Sequence, residues 1–384
     1  MKTMDKPFTF ECSVFTSCAL FWMFVYCSLI LLLEIITLNI YIGVILLLVI
    51  IITYVCLWYF ALPQPDDALV TEILGNNPRM MIRSSSLTSL IGAMSNSISK
   101  EEQDRPDDCE FFPVIGHRGA GLDAPENSLS AIKQCHEKGC RAVEFDLALT
   151  ADDVPVLFHD DTVDRLTNAT GLVQQMTWEQ LQTLDISVKH PLQERFEGER
   201  VALFSEVIQL CLDLDMRIII DVKDESVKVV QVILETFQAH PKLYKRAMVS
   251  AFNPFIIYMV RARDPKIVCS LAWRPYFYSC SSFGRDVGRV RRYTYLPAHV
   301  AARVADLVST WLFNSISFYI LGLSAVLLHK DVITSDVVTK WEERNIRVVV
   351  WTVNRPHEKL YFRRVLQLAY ITDTLASDKL GTLY

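Results

Sequence analysis

Two histidines, three carboxylates and two cationic side chains stand where strand-like apolar runs stop. In chain order the run ends read Gly116-His117-Arg118-Gly119, Glu144-Phe145-Asp146, His159-Asp160 and Asp221-Val222-Lys223. Trp351-Thr352-Val353-Asn354 and Ile371-Thr372-Asp373 close the series. Alternate residues of a strand share one side, so Glu144 and Asp146 face together, as do Asp221 and Lys223. Three convergent carboxylates offer oxygen ligands to a hard divalent ion. Without a cation they repel one another. Two imidazoles can supply a general acid and a general base near neutral pH. Arg118 and Lys223 are donors suited to a phosphate. The combination reads as metal-assisted phosphoryl transfer. Each piece has an ordinary alternative. A lone histidine near a strand is more often structural, an E-x-D pair is often a salt-bridged face, and Asp221-x-Lys223 can be a plain ion pair. What weighs against coincidence is that all of them fall where a buried strand ends.

Such a site needs elements to hold it. Strand-like runs are expected at Pro113–Gly116, Ala142–Leu149, Val154–Phe158, Arg217–Val222, Ala247–Phe252, Ile267–Trp273, Ala325–Leu328, Arg347–Val353 and Tyr370–Thr372. Helical spacing of apolar residues marks Leu129–Lys138, Ser205–Leu214, Ser226–Phe237, Pro254–Arg263 and Ser335–Glu343. Nearly continuous apolar strands such as Arg217-Ile-Ile-Ile-Asp-Val imply burial on both faces of a parallel sheet. Repeated βα units over this length favour an α/β fold of the (β/α)8 barrel kind, whose chemistry sits at the carboxyl ends of the strands. There are nine strand candidates for eight places. Val154–Phe158 follows its predecessor too closely for a crossover helix and is expected to be the return arm of a hairpin.

The chain has 384 residues, 51% hydrophobic and 21% charged. Its mean hydropathy is +0.24, which excludes a disordered protein. A net charge of -6 leaves no basic field for nucleic acid. Ten cysteines include no C-x-x-C pair, which argues against a zinc ribbon or dithiol motif. Cys135 and Cys140 read as buried thiols. Residues 1–62 are expected to form a membrane anchor. Apolar stretches at about 14–33 and 40–60 are each long enough to span, with Glu34, Thr37 and Asn39 as a polar turn between them. A single extended helix is the rival to this hairpin. Residues 63–110 read as a linker, with a short surface helix expected near 80–94. Residues 111–384 form the barrel, carrying an insertion at about 274–323. The basic residues Arg285, Arg289, Arg291 and Arg292 of that insertion precede an apolar segment at 304–323. A span there would put the last strands on the wrong side of the membrane, so the segment is expected to lie in the lipid interface or to pack on the barrel. Asn168-Ala169-Thr170 is the only N-x-S/T sequon, a glycosylation site if the domain is lumenal or extracellular.

The motifs resemble those of the glycerophosphodiester phosphodiesterase family, most closely its membrane-anchored animal branch. They are H-R-G at 117–119, P-E-N-S at 125–128, E-x-D at 144–146, H-D at 159–160 and W-T-V-N at 351–354, and the resemblance runs from about 113 to 378. It implies a TIM barrel that cleaves glycerophosphodiesters, of glycerophosphoinositol or lysophospholipid type, to a phosphomonoester and an alcohol. His117 and His159 are the implied acid–base pair, Glu144, Asp146 and Asp221 the metal ligands, and Arg118, Lys223 and Trp351 the substrate contacts. The chain departs from the family in carrying Asp221 where an E-x-K glutamate is usual. The shorter arm favours Mg2+ over Ca2+. The second departure is the insertion. Two other functions compete: a phospholipase C-like lyase forming a cyclic phosphate, and an inactive membrane lipid-binding scaffold. The expected partners are the diester substrate and membrane lipid, with residence in an endomembrane or the plasma membrane.

Overall fold

A computed structural model describes residues 8–79 and 113–376, with side chains from Trp22 onward. The expected surface helix near 80–94 and most of the linker lie outside the described residues. The chain divides into two units, residues 1–61 and 62–384.

The first unit is one apolar helix, α1 (Phe8–Phe60), continuous through the expected turn. A hairpin of two helices was the first expectation and a single extended helix its rival; the single helix is found, and the local chemistry explains why. Residues 34–39 contain neither glycine nor proline. Thr37 Oγ1 donates to the Leu33 carbonyl at 3.0 Å and Asn39 Nδ2 to the Ile35 carbonyl at 2.9 Å. Both polar side chains thus fold back onto their own helix. Trp22–Phe60 is long and apolar enough to cross a membrane. Fifty-three residues make about 80 Å of helix, and a bilayer core is about 30 Å thick, so one crossing uses only part of it.

The second unit is a closed barrel of eight parallel strands. They are β1 (Val114–His117), β2 (Ala142–Leu149), β4 (Arg217–Val222), β5 (Ala247–Ala251), β6 (Val268–Trp273), β9 (Ala325–His329), β10 (Arg347–Trp351) and β11 (Ala369–Thr372), and β1–β2 pairing closes the ring. The short β3 (Pro155–Leu157) runs antiparallel to the end of β2, as the spacing requires. Val, Ile and Leu dominate the strands because both faces are covered. One face meets the outer helices, among them α3 (Leu129–Glu137), α4 (Phe204–Asp213), α5 (Val227–Ala239) and α6 (Pro254–Arg263). The other face fills the barrel with Ile115, Ile219, Met248, Val268, Leu327 and Val349.

Two features depart from the expected organisation. Helix α2 (Asp67–Leu74) buries Val70, Ile73 and Leu74 against the barrel's interior residues, so residues 62–79 belong to the barrel rather than to a spacer. The inserted segment contains a small antiparallel pair, β7 (Cys280–Ser282) and β8 (Val290–Arg291), then α7 (Leu296–Leu312). A wide turn at Phe313–Ser317 carries α7 into a last helical turn, Phe318–Leu321. Asp306 is buried in α7 and accepts the backbone N–H groups of Tyr278 at 2.8 Å and Ser279 at 3.3 Å. Helix α8 (Ser335–Glu342) joins β9 to β10 on the outside of the barrel, and a short helix at Pro356–Leu360 follows β10.

Candidate active site

Strand register assembles the site. His117 on β1 lies opposite Glu144 on β2, and Asp146 on β2 lies opposite Asp221 on β4. Ligand oxygens of Glu144, Asp146 and Asp221 come within 4.8 Å of one another, and all three residues are buried. His117, Arg118, Glu144, His159, Asp221, Lys223 and Trp351 line one cavity of about 780 Å³.

The turn after β1 is shaped by Gly119. Its φ is +80°, and a Cβ there would stand 2.7 Å from Ala131 Cβ on α3. This tight passage brings the Arg118 N–H to Glu144 Oε2 at 3.0 Å and its guanidinium to Glu126 at 2.7 Å and Asp146 at 3.3 Å. Asn127 locks Asp146 from both sides, donating to Oδ2 at 2.7 Å and accepting the Asp146 N–H at 3.1 Å. Each histidine is held by a carboxylate at Nδ1: His117 by Asp373, and His159 by Asp160 at 2.6 Å. Arg165 joins Asp160 to Glu126 through a bidentate pair of 2.6 and 2.8 Å. Asn354 donates to the other Asp373 oxygen at 2.6 Å.

Electrostatics separates these groups. Burial and then the Asp146 charge push the Glu144 carboxyl up to about 8. Burial also opposes ionisation of Asp146, but Lys223 and Arg118 outweigh it and hold that carboxyl well below the usual range. Burial and Arg118 oppose charge on His117, yet Asp373 and Glu144 prevail and raise its pKa. Burial likewise opposes the Asp373 charge, and His117 with Asn354 brings it down to about 2. Lys223 Nζ lies between Asp221, at 2.5 Å, and Asp146 Oδ1, at 3.2 Å. Asp221 Oδ1 is buried and accepts no hydrogen bond. A buried carboxyl raised by its neighbours and an unpartnered carboxylate oxygen are what a divalent cation would resolve, so Glu144, Asp146 and Asp221 fit one.

Of the residues expected at the site, His117, Arg118, Glu144, His159, Asp221, Lys223 and Trp351 line the cavity, and Asp146 lies buried in the carboxylate cluster beside it. Asn168 lies apart from it, exposed in a bend. Asp373, Asn127, Asp160, Glu126 and Arg165 had no expected role, although the adjacency of His159 and Asp160 and the P-E-N-S motif were signals for three of them. Arg274, Phe277, Ser281 and Arg292 come to the cavity wall from the insertion. No sequence pattern announced that placement.

A parallel barrel whose mouth gathers carboxylates, imidazoles and cationic side chains is suited to phosphate-ester chemistry, and likeness to known proteins narrows the class. Residues 117–377 match the Glycerophosphoryl diester phosphodiesterase family, and the chain belongs to that family. It is similar to Glycerophosphodiester phosphodiesterase 1 of Bos taurus, 38% identical over 69% of this chain and 78% of the relative. The Homo sapiens relative is 35% identical over the same shares. Among solved structures, an Oleispira antarctica phosphodiesterase in complex with the product sn-glycerol-3-phosphate superposes with a TM-score of 0.54 at 20% identity, covering 70% of this chain and 94% of that one. A glycerophosphodiester phosphodiesterase from Agrobacterium tumefaciens gives 0.53 at 16% identity, covering 70% of this chain and 100% of that one. At these identities the structural likeness concerns the fold.

Proposed function

We propose that this enzyme hydrolyses glycerophosphodiesters to a phosphomonoester and an alcohol. The observation that carries the reading is a buried three-carboxylate cluster flanked by two histidines, each steered by its own carboxylate. Glu144, Asp146 and Asp221 would hold a divalent ion, with Mg2+ favoured by the short Asp221 arm. Such an ion supplies positive charge against the phosphoryl oxygens. His117 and His159 present Nε2 because Nδ1 is occupied by Asp373 and Asp160. Between them they take a proton from the attacking water and return one to the leaving oxygen. Arg118 and Lys223 face the same cavity as cationic contacts for the phosphate, and Trp351 forms part of its wall. The substrates are of glycerophosphoinositol or lysophospholipid type. Residues 1–62 anchor the protein in an endomembrane or the plasma membrane. The catalytic unit is lumenal or extracellular, where the exposed Asn168 can carry a glycan.

The test is a substrate panel on purified enzyme, with products followed by phosphorus NMR before and after chelation. Turnover should vanish on metal removal and return with Mg2+. Asp221→Asn should weaken metal affinity and turnover together. Full activity after chelation in metal-free buffer sinks the metal assignment. An accumulating cyclic phosphate would assign the attack to the substrate's own hydroxyl instead of water.

A further inference from the structure

The outward face of α7 is apolar where a barrel helix ordinarily turns polar residues to water. Val300, Val304, Leu307, Val308 and Trp311 share one face, and each is between 51% and 68% exposed. The opposite face is already occupied. Asp306 holds the Tyr278–Ser279 backbone, and the Arg303 guanidinium lies 4.5 Å from the centre of the Tyr276 ring. Beyond the stripe the helix turns inward. Phe313 stacks on Trp273 at 5.1 Å and meets Trp341 at 5.0 Å, and Leu321 is buried. The expected apolar segment at 304–323 is therefore two things: an exposed first half, and a second half anchored to the barrel by the buried Phe313, Leu321 and Leu323. The exposed half stands on the inserted segment that supplies Arg274, Phe277 and Arg292 to the cavity wall.

Three observations identify what covers the stripe. First, the flanking charge is positive. Arg289 and Arg291 precede α7, both are exposed, and neither forms an ion pair among the described residues. Second, the chain enters the barrel unit on this same helical element. The Leu62 N–H donates to the Ile320 carbonyl at 2.9 Å, and Gly322 is required there because a Cβ would stand 2.5 Å from the Leu62 carbonyl oxygen. The sequence just before Leu62 is the apolar run ending at Phe60. Third, the segment cannot span. β6 before it and β9 after it are parallel neighbours, with Ser270 opposite Ala325, so both its ends belong to one side of a membrane. We infer that the α7 stripe rests in the lipid–water interface, its apolar side chains among the upper acyl chains and Arg289 and Arg291 at anionic headgroups. The cavity mouth then opens along the membrane surface, where it meets diesters carried by lipids. That consequence for substrates rests on the phosphodiesterase reading above; the seating of the helix does not.

The experiment uses the full chain in vesicles of phosphatidylcholine and phosphatidylserine, with Cys27, Cys56 and its other reactive cysteines replaced by serine. A fluorophore is placed at Val304→Cys, Leu307→Cys or Trp311→Cys, with Asp336→Cys on the exposed start of α8 as control. Lipids carrying a nitroxide near the headgroup should quench the three stripe positions and spare the control. Leaving out phosphatidylserine should weaken that quenching in the parent and leave it unchanged when Arg289 and Arg291 are both replaced by alanine. Quenching equal to the control overturns the inference, because the stripe then faces water. Strongest quenching from nitroxides at the bilayer centre overturns it in favour of a span. Energy transfer between labelled copies without lipid quenching overturns it in favour of a second protomer. In parallel, Val304→Ser, Leu307→Ser and Trp311→Ser together should lower turnover of a vesicle-borne lysophospholipid-type diester by about tenfold while a water-soluble glycerophosphodiester stays within about twofold. Equal loss on both substrates overturns the delivery role. If the parent cleaves neither substrate, the proposed function fails while the quenching result still decides where the stripe lies.

Discussion

His117 and His159 are built alike, and that likeness predicts how they fail. Each ring gives Nδ1 to a carboxylate, which in the proposed mechanism leaves Nε2 for the substrate. Replacing either by alanine should reduce turnover by about 10²–10⁴-fold, the usual effect of losing one acid or base. The double variant should lose less than the product of the two, because in the proposed mechanism both serve one transition state. Steady-state kinetics on the four proteins checks this, and a fully multiplicative double variant would argue for independent roles. Asp373 adds a pH test. It and Glu144 raise the His117 pKa against burial and Arg118. Removing the charge in Asp373→Asn takes away stabilisation of the imidazolium, so the His117 pKa must fall. The limb of the pH–rate profile that belongs to His117 should move to lower pH, and the other limb should stay. An NMR titration of the His117 ring that is unmoved by Asp373→Asn would remove Asp373 from this role. His117, His159 and the three carboxylates were legible in sequence because strand ends and alternate-residue geometry fix where they point. Asp373 was visible only as a strand end. Its pairing with His117 depends on β11 lying beside β1, a contact between residues 256 positions apart.

Elements were readable where their own composition decided them. Most of the eight barrel strands carry short, largely apolar runs, and the helices around them carry an apolar stripe. The insertion offered no comparable pattern between Arg274 and Arg292, so the β7–β8 pair was not foreseen. Continuity of α1 was only the rival expectation, because side chains such as Thr37 and Asn39 that bond back to the helix satisfy the polarity that elsewhere marks a turn. Within the insertion the Tyr278–Ser279 stretch is tied to α7 by Asp306, whose two oxygens accept two backbone N–H groups. Asp306→Ala leaves buried donors without partners and should destabilise the segment by about 1–3 kcal/mol. Limited proteolysis should then cut between 274 and 292 faster than in the parent. An unchanged cleavage pattern would mean that the Tyr276 and Trp273 contacts suffice to hold the segment. Gly119→Ala tests the turn after β1 in the same way. Its positive φ and the 2.7 Å approach to Ala131 leave no room for a methyl group. The variant should lose about 1 kcal/mol or more, read as a lower melting temperature.

At the scale of the whole molecule the question is where the catalytic unit begins. Composition places a linker from residue 63, because serine and charge accumulate after it. Packing places the start earlier. Val70, Ile73 and Leu74 are buried and close the amino end of the barrel against Ile115, Ala142, Ile219 and Met248. Polar contacts fasten the same stretch: Arg79 to Glu342 at 2.6 Å, Asn345 to Asp67 at 2.8 Å, and Arg347 to Thr71 at 3.0 Å and to the Gly75 carbonyl. An amphipathic helix of eight residues is easily mistaken for linker, since its partner surface exists only once the barrel has closed. Burying three such side chains contributes about 1.5–3 kcal/mol each, together a large share of the 5–15 kcal/mol that ordinarily separates folded from unfolded states. A chain starting at residue 62 should therefore melt cooperatively and turn over a water-soluble glycerophosphodiester. A chain starting at residue 80 keeps every residue of the candidate site but exposes the barrel's amino-end core and leaves Glu342 without Arg79. It should melt at a markedly lower temperature, or aggregate, and lose activity with its fold. Circular dichroism melts and turnover on both truncations separate the cases. Equal melting of the two would show that α2 is an accessory to the barrel rather than part of it.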